Sequence, residues 1–312
     1  MTFKNSTATV LSLCVLLSIF INPIGLNAWN ETGHKITATI AWQHLTPHAK
    51  DQIIDILNTA PKDSDILDLF NEEAPNNLEQ YFMNASYWPD MVRDRNKPDR
   101  NKKYHMGGWH YIGSYWKQTD EGPVETTGLV EEENLVERIS YFRETMNSHD
   151  TPNEVKAIQI AWIAHLIGDI HMPLHNASRM TSNTPDGDLG GNAFTLGNEW
   201  PRNLHSFWDG IIDVEIPRDE THPKFDYYKA RAEEITKQFP KEQFGDLINQ
   251  QDPNIWTKEG KEIVMESLYP ETLAEGEKPS IEYQEMAFAI AQERLALSGY
   301  RIAAFFNAIF VD

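Results

Sequence analysis

Residues 153–175 read NEVKAIQIAWIAHLIGDIHMPLH. Apolar side chains occupy most positions from Ile158 to Ile170, and the first proline to follow, Pro173, ends the run. This predicts a helix over Asn153–Ile170 that is apolar on all sides and therefore buried. Set into it are His165 and Asp169, one turn apart on one face. A buried imidazole and a buried carboxylate both need partners, and a single cation satisfies the two together. One such pair alone is more often an ordinary polar contact. Here the spacing recurs at His205 and Asp209, and His175, just past Pro173, is placed to turn back toward Asp169. Imidazole and carboxylate ligands suit zinc. His171 lies about 200° round the helix from Asp169 and faces away from it.

Outward from this segment the pattern stays helical. Apolar periodicity predicts helices over 33–45, Pro47–Leu57, 131–146, 203–214, 225–239, 254–268 and 281–310. Strand signals are weak, and only 108–115 reads as extended. Stretches 84–122 and 179–202, rich in Gly, Pro, Asn and Asp, read as long loops of the kind that carry function. No linker or internal repeat divides the chain. The expected fold is all-α, one compact helical domain over 29–312 with long functional loops.

Residues 1–28 differ from the rest. Lys4 is their one charge, and an apolar run ends at the small Ala28. This reads as a secretory signal peptide cleaved after Ala28, leaving a secreted or periplasmic monomer with no membrane anchor. The only cysteine, Cys14, lies in that segment, so the mature chain would have no disulfide staple. The formal charge of −20 argues against tight, salt-sensitive binding along duplex DNA. Divalent ions would have to supply positive charge wherever a phosphate docks.

The segment from His165 to His175 resembles the central signature of the zinc-dependent single-strand-specific nucleases, the mung bean nuclease and plant bifunctional nuclease family. Further motifs follow in family order: Trp29 with His34 five residues on, Tyr87-Trp88-Pro89-Asp90, Trp109-His110-Tyr111-Ile112, Gly187-Asp188 with Gly190-Gly191-Asn192, and Asn203–Gly210 with His205 and Asp209. Trp256, Glu259 and the tail Ser298-Gly299-Tyr300-Arg301-Ile302-Ala303 resemble its late motifs. The match spans nearly the whole chain after Ala28.

The resemblance implies the helical fold that this family shares with zinc phospholipase C, and three zinc ions. The first would be held by Asp90, His110, His165 and Asp169. The second would take His34, Asp169, and the amino nitrogen and carbonyl oxygen of Trp29. The third would take His175, His205 and Asp209. Asp169 would bridge two ions that share and acidify the attacking water. The implied activity is cleavage of single-stranded DNA and RNA to 5′-phosphate products, with 3′-nucleotides also hydrolysed. Tyr111 and Asn192 are candidate substrate contacts. Two positions depart from the family pattern. Gly113 stands where some members have an acidic residue, and Leu189 where a basic one is expected. A zinc-dependent phospholipase C and a non-catalytic zinc-binding protein are the alternatives. The five-residue gap from Trp29 to His34, and Asp209 as last ligand, favour the nuclease. Asn30-Glu31-Thr32, Asn84-Ala85-Ser86 and Asn176-Ala177-Ser178 also fit the glycosylation sequon.

Overall fold

The computed structural model describes residues 29–199, 201–219, 221 and 223–311. The expected leader, residues 1–28, lies outside the described residues. Twelve α-helices dominate the described residues: α1 (Glu31–His44), α2 (Pro47–Leu57), α3 (Asn77–Met91), α4 (Pro98–Tyr104), α5 (Leu135–Asn147), α6 (Asn153–Ile170), α7 (Leu204–Asp209), α8 (Ile211–Glu215), α9 (Lys224–Gln238), α10 (Lys241–Phe244), α11 (Pro253–Ile263) and α12 (Ile281–Ile309). Among the described residues no helix is long and apolar enough to cross a membrane.

Local chemistry sets the ends of these helices. Asn30 starts α1 by accepting the N–H groups of Thr32 and Gly33 at 3.0 and 3.2 Å. Thr46 caps α2, with Pro47 in its first turn. Asn134 caps α5, so that helix begins at Leu135 rather than at the expected residue 131. The helix expected over 203–214 is two short ones. Asn203 and Ser206 form a reciprocal capping box at the start of α7, and Gly210 breaks α7 from α8.

The helical expectation for α6 holds: every residue from Gln159 to Ile170 is buried. Helices α1, α2, α3, α5, α11 and α12 pack around it, and α1 also bears on α3, α9 and α12. The loop reading of 84–122 needs correction. Its first part belongs to α3, which buries Tyr81, Phe82, Ala85 and Trp88 at helical spacing despite the interior Pro89. The helix is held in place by its neighbours, and that packing outweighs the one backbone bond that Pro89 cannot make. A later part of the same stretch is α4. The extended reading of 108–115 is also displaced: residues 107–110 form a 3₁₀ turn, and strand β1 (Tyr115–Thr119) begins where the expected strand ends. It pairs antiparallel with β2 (Gly122–Thr126) and parallel with β3 (Ser178–Arg179), with Tyr115 opposite Thr126 and Ser178.

Candidate metal centre

Three helices bring the first group together. From α6, His165 and Asp169 project with no exposure at all. His34 comes from α1, and its approach is possible because α6 carries Gly168 there: a Cβ on Gly168 would lie 2.8 Å from His34 Nδ1. The two rings of His34 and His165 stack at 3.7 Å. Asp90 comes from the end of α3, and His110 from the 3₁₀ turn. Ser86 of α3 joins these elements. Its carbonyl accepts His165 Nδ1–H at 2.8 Å, and its hydroxyl reaches the carbonyl of His34 at 3.2 Å.

Asp169 stands at the middle. Its Oδ1 lies 3.2 Å from His34 Nε2, while its Oδ2 lies 3.0 Å from His110 Nδ1 and 3.4 Å from His165 Nε2. His165 Nε2 is 3.8 Å from Asp90 Oδ1, which also has Arg93 Nη2 at 3.0 Å. Two triads have ligand atoms mutually within 4.8 Å: His34, Asp90, His165 and His110, His165, Asp169. His34 thus groups with Asp90 and His165 as well as with Asp169.

The third triad, His175, His205 and Asp209, meets the same limit. His175 Nδ1 donates to the carbonyl of His110, and Ile112 N–H donates back to the His175 carbonyl at 3.0 Å. His205 Nδ1 donates to the Gly190 carbonyl at 2.7 Å, and its Nε2 lies 3.4 Å from Asp209 Oδ2. A carbonyl can only accept, so His165, His175 and His205 each carry their hydrogen on Nδ1. Each is thereby left with a lone pair on Nε2, as a metal ligand requires.

The groups are expensive as they stand. Burial, and then the charge of Asp90, pushes the Asp169 carboxyl well above the usual range. Burial followed by Asp90 and Asp169 does the same to Asp209. Burial raises Asp90 to about 6 against the pull of Arg93. His34, His110 and His165 are held well below the usual imidazole value, first by burial and then by the neighbouring histidines and Arg93, against which a second positive charge would be repelled. Both ring nitrogens of His34, His110 Nε2, Asp169 Oδ1 and Asp209 Oδ1 are buried without a hydrogen bond. Buried acceptors and ring nitrogens this close together, several of them without a hydrogen bond, fit divalent cations.

Against the third triad lies a cleft with a cavity volume of about 90 Å³. His110, His175 and His205 line one side; Tyr111, Tyr115, Leu174, Asp186 and Leu189 are among its other walls. Of the two candidate substrate contacts, Tyr111 lines the cleft. Asn192 instead folds its amide back onto the Leu189 carbonyl at 2.9 Å, outside the cleft wall. Gly113 is accounted for: a Cβ there would sit 2.8 Å from the Leu129 carbonyl. Trp29 is buried at the foot of α1, against Gly33. Asn176 has no room for a glycan, since it is buried and its amide donates to the carbonyls of Ile170 and Met172. The importance of Ser86 and Gly168 is missed by motif reading; small size at a helix crossing is their only trace in the sequence.

The chain is similar to Endonuclease 2 of Arabidopsis thaliana, 24% identical over 311 aligned positions that cover 91% of each chain. It is similar to Nuclease S1 of Aspergillus oryzae, 22% identical over 299 positions, covering 90% of this chain and 91% of that one. Endonuclease 1 of Arabidopsis thaliana is 22% identical over 325 positions, covering 99% and 95%. Residues 29–311 match the S1/P1 Nuclease family as a whole. The chain therefore belongs to the S1/P1 nuclease family and is a hydrolase acting on phosphodiester bonds of nucleic acid.

Proposed function

We propose that this protein cleaves single-stranded DNA and RNA to 5′-phosphate products and removes phosphate from 3′-nucleotides, using three zinc ions. The observation that carries the reading is the way Asp169 divides its two oxygens. Oδ1 addresses His34, and Oδ2 addresses His110 and His165. A carboxylate so placed suits a bridge between two cations. Asp90, His110, His165 and Asp169 would hold the first ion. His34, Asp169 and the main-chain amine and carbonyl of Trp29 would hold the second, and His175, His205 and Asp209 the third. Zinc bound there supplies Lewis acidity toward a phosphoryl oxygen and acidifies water for the attack.

The chain's own residues do the rest. Three imidazoles fixed on backbone carbonyls need no reorganisation when substrate arrives. The cleft beside the third triad offers Tyr111 and Tyr115 as stacking surfaces, which tolerate any base but need it unpaired. The net charge of −20 disfavours salt-sensitive binding along a duplex. Export, removal of residues 1–28 and a monomeric state belong to the same reading.

The test combines metal analysis of the protein beginning at Trp29 with digestion of single- and double-stranded substrates at equal salt. Bound zinc, preference for single strands, and loss of activity on chelation with recovery on zinc addition are expected. Preference for intact duplex, or activity indifferent to chelation, would overturn it.

A further inference from the structure

Asp213, on α8, takes part in none of the triads, yet its carboxylate is heavily used. It accepts Asn30 Nδ2–H at 2.7 Å and the Thr32 hydroxyl at 2.8 and 2.9 Å, and the Tyr227 hydroxyl reaches it at 3.4 Å. Asn30 and Thr32 both act as donors to it. Next to it, the Asn30 backbone N–H donates to the carbonyl of Asp209, itself a member of the third triad, at 3.1 Å. The Asn30 carbonyl in turn accepts the N–H of His34 at 3.2 Å. Residues 30–32 are therefore fastened to α7 and α8 on one side and form the first turn below His34 on the other. Trp29, the residue immediately before this fastening, is buried against Gly33.

We infer that Asp213 is a positioning residue that clamps the Trp29–Thr32 segment so that the Trp29 main-chain amine is presented to the ion at His34. This rests on the reading that Trp29 is a ligand. The clamp couples two sites through one segment: α7 and α8 hold the third triad by Asp209 and the start of α1 by Asp213. Without it, Trp29 would keep its chemistry but be less firmly placed, because the anchors left to the segment are the Asn30 N–H bond to the Asp209 carbonyl and side-chain packing.

The experiment uses the full chain beginning at Trp29, as wild type, Asp213→Ala and Asp213→Asn. Each is titrated with zinc in a metal buffer, and bound metal per chain is measured. The accessibility of the α-amine is read separately by reductive methylation and mass spectrometry. In the wild type the amine is protected when zinc is bound. Asp213→Ala is expected to weaken one class of site by about 10–100-fold, the scale of losing a group that orients a ligand. It should expose the amine while the other sites keep their affinity. Asp213→Asn keeps the shape but turns one acceptor into a donor facing Asn30, and should fall between. Should Asp213→Ala fail to fold, Asp213→Asn and Thr32→Val carry the same readout with smaller shifts. A wild-type amine that is fully reactive in the zinc-loaded protein sinks the Trp29 ligand reading itself. A protected wild-type amine that stays protected in the variants, with unchanged zinc affinity at every site, sinks the role of Asp213 alone.

Discussion

Near the C-terminal end of α6, buried polar side chains face two ways. On one side His171 uses both ring nitrogens: Nδ1 donates to the Ile167 carbonyl at 2.7 Å, and Nε2 accepts from Arg301 Nη1 at 2.9 Å. Arg301, fully buried on α12, grips both oxygens of Glu259 at 2.7 Å and donates Nε to the Leu247 carbonyl. On the other side, His34, His110, Asp169 and Asp209 keep atoms that bond to nothing in the protein. Both clusters bury charge beside imidazole. In the first, His171, Arg301 and Glu259 complete one another, and the second is completed only by something brought in. Histidine count and burial do not separate them; the satisfaction of each nitrogen does.

That contrast is open to attack at several points. Asp169→Asn should have the largest effect, lowering hydrolysis by more than about 10²-fold, since it alters the carboxylate that faces His34, His110 and His165 together and not merely a group that orients a ligand. Bound metal, assayed in the same samples, should fall with it. Activity near wild type would mean that the incomplete cluster is not where chemistry occurs. Chelation comes next. An ion at a thousandfold excess over its Kd stabilises by about 4 kcal/mol, and each kcal/mol moves Tm by about 2–4 °C in a chain somewhat smaller than this one. Thermal unfolding should therefore shift down by about 10 °C or more in a chelator. An unmoved Tm would place the triads outside the stability of the fold.

Arg301→Met attacks the self-sufficient side. It strands the Glu259 carboxylate beside Arg294 and should cost about 3–5 kcal/mol. Zinc bound per folded chain, however, should not change, and a loss of metal in step with stability would erase the distinction between the two sides. The smallest effect concerns pH. Burial alone would raise the Glu259 carboxyl, but Arg301 and Arg294 outweigh it and hold it below the usual range. A carboxyl depressed in the folded state stabilises above its unfolded value of about 4.3 and loses that contribution as pH falls through the folded value. Tm measured from pH 6 down to pH 3 should therefore decline less steeply in Glu259→Gln than in the wild type. Identical slopes would remove Glu259 from the acid response.

How much of this the sequence disclosed depends on the range of the interaction involved. Helix α6 and its His165–Asp169 spacing are local facts, legible in a run of apolar residues broken by two polar ones. The pairing of His205 with Asp209 is equally local. Helix α3 was hidden by Pro89 and Asn84, residues that argue for a loop unless packing overrules them. The break at Gly210 was hidden because apolar spacing continues across it. The capping of α1 by Asn30 was masked by a sequon. Contacts such as Ser86 to His165 join residues 79 positions apart and leave no periodic mark. The same holds for Asp213 and Asn30, 183 apart. Long-range anchors of this kind are single polar residues whose partners only the fold reveals.

The pairing of α1 with α12 has a consequence in time. Gly299 lets these helices touch, since a Cβ there would lie 2.6 Å from Ile40, and Asn307 ties the end of α1 by donating to the His44 carbonyl across 263 positions. Helix α1 carries His34. During synthesis at about 5–20 residues per second, the chain out to Asp209 would emerge roughly 5–20 s before the end of α12. Through that interval the nascent protein would possess every imidazole and carboxylate of the triads without the helix that braces the first of them. A polypeptide cut short before Ile281 would thus be complete in its chemistry and idle for want of support.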